Sequence, residues 1–283
     1  MSTVFQRILL ATEHTDFDAG AERLAMELAR RCGLPLNAVL PLLSNPEFEA
    51  QAPEIAARAE LGAATKMEQL RELARTQGVE LYVRTRRGQE PYQEIVDEAR
   101  IRANDLIVIR RRGKRGFLAN LLLGEMVAKV VAHAPCSALI VPRDASMWQR
   151  RVLVAAEPTS RGGQIVRRAA AVAAECGLPL SIVCVIHHED AELRRQADAF
   201  LETSMQGLRP SGISMQGRTL VGRPHQEILA AVTREGADLL VIGSRSDGSI
   251  KRALIGGVAQ KAIGLSECPV LVVHVPVNES EKP

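Results

Sequence analysis

Aromatic residues are scarce in this sequence, with one tryptophan, two tyrosines and five phenylalanines. So few rings cannot interleave with basic residues to stack on bases, so single-stranded nucleic acid is not an expected ligand. An excess of one charge is also missing. The 36 basic and 33 acidic side chains leave a formal net charge of +3, too balanced for an electrostatic footprint on nucleic acid. No apolar run approaches the ~18 residues that a membrane-spanning helix needs. The stretch before Arg7 is too short and too polar for a secretory signal. The expectation is a cytoplasmic protein that binds neither membrane nor nucleic acid. The five cysteines, at 32, 136, 176, 184 and 268, are odd in number and include no CxxC spacing. They read as small buried side chains and not as a disulfide framework.

Catalytic signatures are equally thin. There is no GxxxxGK[ST] loop, no GxGxxG after a first strand, no HExxH and no GxSxG. His187-His188-Glu189-Asp190 places two histidines side by side, but neighbours in an extended segment point apart and make a poor chelating pair. His14 follows Glu13 with no nucleophile that can be placed beside it. Asp16 and Asp18 suit the start of a helix better than a metal. No metal site is expected, and no residue stands out as an efficient general base.

What is present is a repeat. Arg7-Ile-Leu-Leu-Ala-Thr-Glu13 is answered by Arg151-Val-Leu-Val-Ala-Ala-Glu157, and Cys32-Gly-Leu-Pro35 by Cys176-Gly-Leu-Pro179 at the same spacing. Farther on, Asp105-Leu-Ile-Val-Ile109 matches Asp238-Leu-Leu-Val-Ile242, and Cys136-Ser-Ala-Leu-Ile-Val141 matches Cys268-Pro-Val-Leu-Val-Val273. Two domains are expected, over residues 1–146 and 147–283. Trp148 beside their junction is expected to pack at an interface.

Within the first copy, apolar runs predict strands over residues 8–11, 36–42, 80–85, 105–109 and 137–141. Helical spacing predicts helices over 21–31, 53–77, 92–101 and 120–132. Gly33 would stop the first of these helices and Pro91 would open the third. Strands are expected in the second copy near 152–155, 180–186, 215–221, 238–242 and 270–274. Strands alternating with helices at this spacing require crossovers onto a parallel sheet.

Ligands of such sheets sit beyond the carboxyl ends of the strands, where strand order reverses. In the second copy the fourth strand runs into Gly243-Ser-Arg-Ser246, and nine residues later Gly256-Gly257-Val258 opens a helix. Glycines there let backbone approach a ligand, a helix start attracts anions, and Arg245 offers a fork of donors to phosphate. The same glycines also suit ordinary turns and caps, and the residues alone leave both readings open.

Taken together, these features resemble a tandem universal stress protein over essentially the whole chain. The family pattern has an acidic residue after the first strand, a Gly-x-Pro before the third helix, and Gly-x2-Gly-x9-Gly-Ser/Thr after the fourth strand. Here Glu157 stands where the family's nucleotide binders usually have Asp, and Gly222-Arg-Pro224 supplies the Gly-x-Pro. Gly243, Ser246, Gly256 and Gly257 fill the four loop positions, with Ser replacing the second glycine and Gly replacing the Ser/Thr. The first copy departs further. Its loop has Arg110 for the first glycine and Glu125 for the Ser/Thr, and Pro41 takes the place that Val185 holds in the second copy.

The resemblance implies two tandem open parallel five-stranded sheets with helices on both faces, in the strand order 3-2-1-4-5 of the adenine-nucleotide alpha-hydrolase-like folds. It implies a regulatory role in stress, with ATP or AMP sensed by the second domain, and Mg2+ if the ligand is ATP. The residues it assigns to that ligand are Glu157, Val185, Gly243, Arg245, Ser246, Gly256, Gly257 and Val258. A homo-oligomer, a dimer of two-domain chains, and at most slow ATP hydrolysis follow from it as well. The alternative is an interaction module without nucleotide. It would act on an acidic protein or another anionic partner through surfaces that include the basic run Arg110, Arg111, Arg112, Lys114 and Arg115; that run also reads as a solvated loop with one or two arginines paired to Glu or Asp.

Overall fold

The computed structural model describes residues 4–44, 49, 53–111, 124–244 and 255–275. Among them the chain falls into two compact units that divide between Met147 and Trp148. In the first unit, strands β1 (Ile8–Ala11), β2 (Leu36–Leu43), β3 (Leu81–Gly88), β4 (Leu106–Arg110) and β5 (Ser137–Val141) alternate with helices. The helices are α1 (Ala19–Cys32), α2 (Pro53–Thr76), α3 (Pro91–Ile101) and α4 (Glu125–His133). The second unit repeats the pattern with β6 (Val152–Ala155), β7 (Leu180–Ile186), β8 (Met215–Val221), β9 (Leu239–Gly243) and β10 (Val270–Val273). Its helices are α5 (Ser160–Cys176), α6 (Ala191–Leu208), α7 (Pro224–Glu235) and α8 (Gly257–Leu265).

Each unit is an open parallel five-stranded sheet. The order is β3-β2-β1-β4-β5 in the first and β8-β7-β6-β9-β10 in the second. Helices cover both faces, with α3 beside α4 in the first unit, and α5 beside α6 and α7 beside α8 in the second. Burial explains the apolar runs. Ile8, Leu9 and Leu10 of β1 and Leu106–Ile109 of β4 are essentially inaccessible, as are Val152–Val154 of β6 and Leu239–Val241 of β9. A strand covered on both faces has no polar alternation to keep. Each such Ile or Leu stabilises the fold by roughly 1.5–3 kcal/mol. The outer strands differ: β3 (Leu-Tyr-Val-Arg-Thr-Arg-Arg-Gly) is largely exposed and charged, which discourages pairing with foreign strands.

Two carboxylates begin the central strands from the opposite end of the sheet. Asp105 accepts the backbone N–H groups of Gln6 and Arg7 at 2.8 and 3.0 Å. Asp238 accepts those of Gln149, Arg150 and Arg151 at 2.7, 2.9 and 3.0 Å. Helix α1 ends as the sequence indicates, with Gly33 left-handed at φ 63° and its N–H returned to Ala29 and Arg30. Gly177 closes α5 in the same way at φ 65°.

The fourth helix begins at Glu125, and residues 120–123 of the expected helix lie outside the described residues. Trp148 is buried within the second unit, where its indole N–H donates to Cys176 Sγ at 3.3 Å. All five cysteines are free thiols. Burial pushes the Cys136 and Cys184 thiols up to about 12, which suits packing and not reactivity. Among the described residues no helix is long and apolar enough to cross a membrane.

Candidate functional site

Strand order reverses between β1 and β4 in the first unit and between β6 and β9 in the second. The carboxyl ends of these strands therefore frame the natural ligand edge. In the second unit this edge is an open cleft of about 250 Å3. Its floor is Ala155 at the end of β6, Ala156 after it, Val183 and Val185 of β7, and Ile242 and Gly243 of β9. Pro224 and Ile228 of α7 close one side, and Gly256, Gly257 and Val258 at the head of α8 close another. Glu157, Thr159, Arg161 and Gly162 approach from the turn into α5.

Local chemistry fixes each wall. Thr159 caps α5, its Oγ1 accepting the Gly162 N–H at 3.0 Å. A Cβ on Gly162 would lie 2.0 Å from the Glu157 carbonyl oxygen, so this turn admits glycine alone. At α8 the first intrahelical bond runs from Gln260 N–H to the Gly256 carbonyl, and Gly256 N–H donates to Ser244 O at 3.0 Å. The N–H groups of Gly257, Val258 and Ala259 thus stand at the helix head, beside the cleft that the same residues line. The cleft offers apolar walls deep inside, one carboxylate, one guanidinium and a helix start at its rim. It can hold a flat apolar group with an anionic tail.

The cleft brings together Glu157, Val185, Gly243, Gly256, Gly257 and Val258 of the eight residues assigned from sequence. Arg245 and Ser246 lie outside the described residues. Sequence reasoning missed Thr159, Arg161, Gly162 and Ile228 as lining residues. Gly162 had a legible signal, because it stands in the repeat where the first copy has Asp18. His187 and His188 are exposed, and Asp190 caps α6 by accepting the N–H groups of Glu192 and Leu193. Among the described residues no cluster of His, Cys, Asp and Glu could hold a metal ion.

The first unit carries a different device at the same strand ends. Arg110, the last residue of β4, folds inward and is only 4% exposed. Its guanidinium donates to Glu13 Oε2 at 2.8 Å, Asp18 Oδ2 at 2.9 Å and Thr15 Oγ1 at 2.8 Å. What remains of the cleft is about 10 Å3, roughly the space of one water. Beside it Glu22, also buried, accepts Thr12 Oγ1 at 2.6 Å and pairs with His14 Nδ1 at 3.0 Å. His14 adopts φ 49°, an uncommon left-handed backbone for a residue other than glycine.

Asp18 holds the helix start expected of it, and the structure decides between two readings of Arg110. Asp18 stands at the N-cap of α1 but makes no side-chain cap bond. Its carboxylate accepts instead from Arg110 and from Thr15 N and Oγ1, because a buried guanidinium must be paired. Arg110 is likewise withdrawn from the basic run proposed to meet an anionic partner. The N–H of Arg111 returns to Val141 O at 2.7 Å, and Arg112, Lys114 and Arg115 lie outside the described residues. Pro41 lies within its strand, and β2 pairs with β3 through Leu43. Alternation turns its nitrogen toward β1, beyond the Thr12 N–H to Val39 O bond that closes that ladder.

Comparison with known proteins agrees with this architecture. A sequence model of the universal stress protein family matches residues 5–142 and again residues 149–274. Universal stress protein YxiE of Bacillus subtilis is 32% identical over 83 residues, which cover 29% of this chain and 56% of that protein. Universal stress protein MJ0577 of Methanocaldococcus jannaschii is 33% identical over 82 residues, covering 29% and 51%. The chain thus spans about half the length of these curated relatives. A crystal structure of a universal stress protein from Archaeoglobus fulgidus has the same fold along the whole chain. It superposes with a TM-score of 0.72 at 22% identity, covering 96% of both chains.

Proposed function

The chain belongs to the universal stress protein family in tandem form, and on that premise we propose that it is a stress-response regulator whose second unit binds an adenine nucleotide. The observation that carries this reading is the contrast between the two strand-end clefts, about 250 Å3 in the second unit and about 10 Å3 in the first. In this reading the base enters between Val185 and Pro224, Glu157 meets the sugar or its cation, and the phosphate meets the head of α8. ATP and AMP are the candidate ligands, with Mg2+ accompanying ATP. The protein would work in the cytoplasm as a dimer of two-unit chains and would report nucleotide state without turning the ligand over efficiently.

The test is direct. The full-length protein is purified under native conditions, its small molecules are extracted and identified by mass spectrometry, and ATP and AMP are titrated back by calorimetry. One saturable site per chain is expected, lost in Gly256→Glu while the circular dichroism spectrum is unchanged. No co-purified nucleotide, together with no binding at millimolar ATP and magnesium, would overturn the reading in favour of a nucleotide-free interaction module.

A further inference from the structure

The helix heads beside the second cleft carry a charge pattern that the first unit inverts. In the first unit, Glu90 precedes α3 and Glu125 opens α4. Both neutralise Lys129, at 3.3 and 3.0 Å, and Lys129 also lies 5.0 Å from the centre of the Tyr92 ring. The repeat places Arg223, Gly257, Lys261 and His225 at the four corresponding positions of the second unit. Both carboxylates are gone, one becoming a guanidinium and the other a glycine. Pro224, between Arg223 and His225, lines the cleft, as do Gly257 and Val258 one turn before Lys261. Among the described residues neither Arg223 nor Lys261 has an ion-pair partner. Glu227, the nearest acid on α7, folds back over Gly222.

We propose that Arg223, His225 and Lys261 form an anion-binding edge of the second cleft, which takes the phosphate end of its ligand and takes up a proton as it does so. The proposal rests on the reading that this cleft binds a ligand, and deepens it by naming where the charge goes. The charges of Arg223 and Lys261 both act against a charge on His225, and a phosphate would supply what Glu90 and Glu125 supply in the first unit.

The titration of His225 gives the inference a sign. Burial lowers its pKa below the ordinary histidine value, and the charges of Lys261 and Arg223 lower it further. Among the described residues the charges that act on His225 are two cations, Lys261 and Arg223, and the Glu227 side chain lies against Gly222. The neutral imidazole is thereby favoured. A bound phosphate reverses the local potential and raises the pKa, so binding takes up a proton and strengthens as pH falls.

The experiment follows the His225 ring protons by NMR in the full-length protein, with and without AMP and, separately, inorganic pyrophosphate. Calorimetry of AMP and adenosine accompanies it for the wild type, R223E and H225Q. An upward shift of the His225 titration on adding AMP is expected. R223E should weaken AMP by about tenfold, through replacement of a cation with an anion near the phosphate, and leave adenosine unchanged. AMP should gain more affinity between pH 7.5 and pH 6 in the wild type than in H225Q. Because the phosphate of AMP titrates equally in both proteins, that difference isolates the histidine. AMP binding with an unmoved His225 and an unaffected R223E would overturn the edge and leave the nucleotide reading standing. Pyrophosphate that moves His225 when no nucleotide binds would keep the edge and overturn the nucleotide reading. If neither ligand moves His225 or binds, both are wrong.

Discussion

At the switch point of its sheet, the first unit places Arg110 opposite Glu13 and Asp18, and the second places Gly243 opposite Glu157 and Gly162. The acid after the central strand is kept in both. What changes is its partner. In the first unit a guanidinium from the neighbouring strand satisfies it and fills the space; in the second a glycine leaves the space open. Burying Arg110 costs several kcal/mol unless its donors are met, so Asp18 and Thr15 are tied to the same event. One fold thus holds a closed, self-satisfied site and an open one, separated by a few side chains.

The largest effect on ligand affinity should come from moving the plug. Gly243→Arg in the second unit can send its guanidinium toward Glu157 and should reduce AMP affinity by about 100-fold, ~2.7 kcal/mol, in calorimetry. Unchanged affinity with the fold intact would break the equivalence of the two strand ends.

Removing the plug from the first unit comes next. Arg110→Ala leaves Asp18, 1% exposed, without its cation, and should destabilise the first unit by about 3 kcal/mol. Urea unfolding followed by circular dichroism would show the shift. Fluorescence of Trp148, the single tryptophan, reports the second unit and should stay near the wild-type curve. Coincident loss by both probes would show that the two units unfold as one.

The smallest contrast lies at the opposite end of the sheets. Asp238→Ala removes the acceptor of three backbone N–H groups, and Asp105→Ala the acceptor of two. Costs of about 2 kcal/mol and about 1 kcal/mol are expected, read by the same two probes. The reverse ranking would mean that the third bond, from Gln149, adds nothing.

Most of the architecture was legible in the residues because it rests on local and repeated signals. Uninterrupted apolar runs such as Leu106–Ile109 announce strands covered on both faces, and Gly33 and Pro91 mark helix ends by their own backbone restrictions. The open cleft was legible in part, since Gly243, Gly256 and Gly257 carry a family pattern. Thr159 and Ile228 were not, because a cap and a helical isoleucine look alike whether or not a cleft lies beside them. Arg110 was legible only as one of several arginines, any of which could pair with an acid. In sequence it begins a basic run, and a run of charge ordinarily faces solvent.

Residue order alone establishes the repeated parallel fold, the strand ends at which a ligand would sit, and the loss of the usual glycine pattern from the first copy. Periodicity, backbone propensity and an internal repeat are properties of the chain that need no knowledge of distant contacts. What stands at each strand end is set by contacts across the fold. Whether Arg110 reaches solvent or Glu13 and Asp18 depends on residues 97 and 92 positions away, brought within 3 Å by the crossover of β4 beside β1. Desolvation then makes that pairing obligatory, and the same geometry with glycine in place of arginine leaves a cleft.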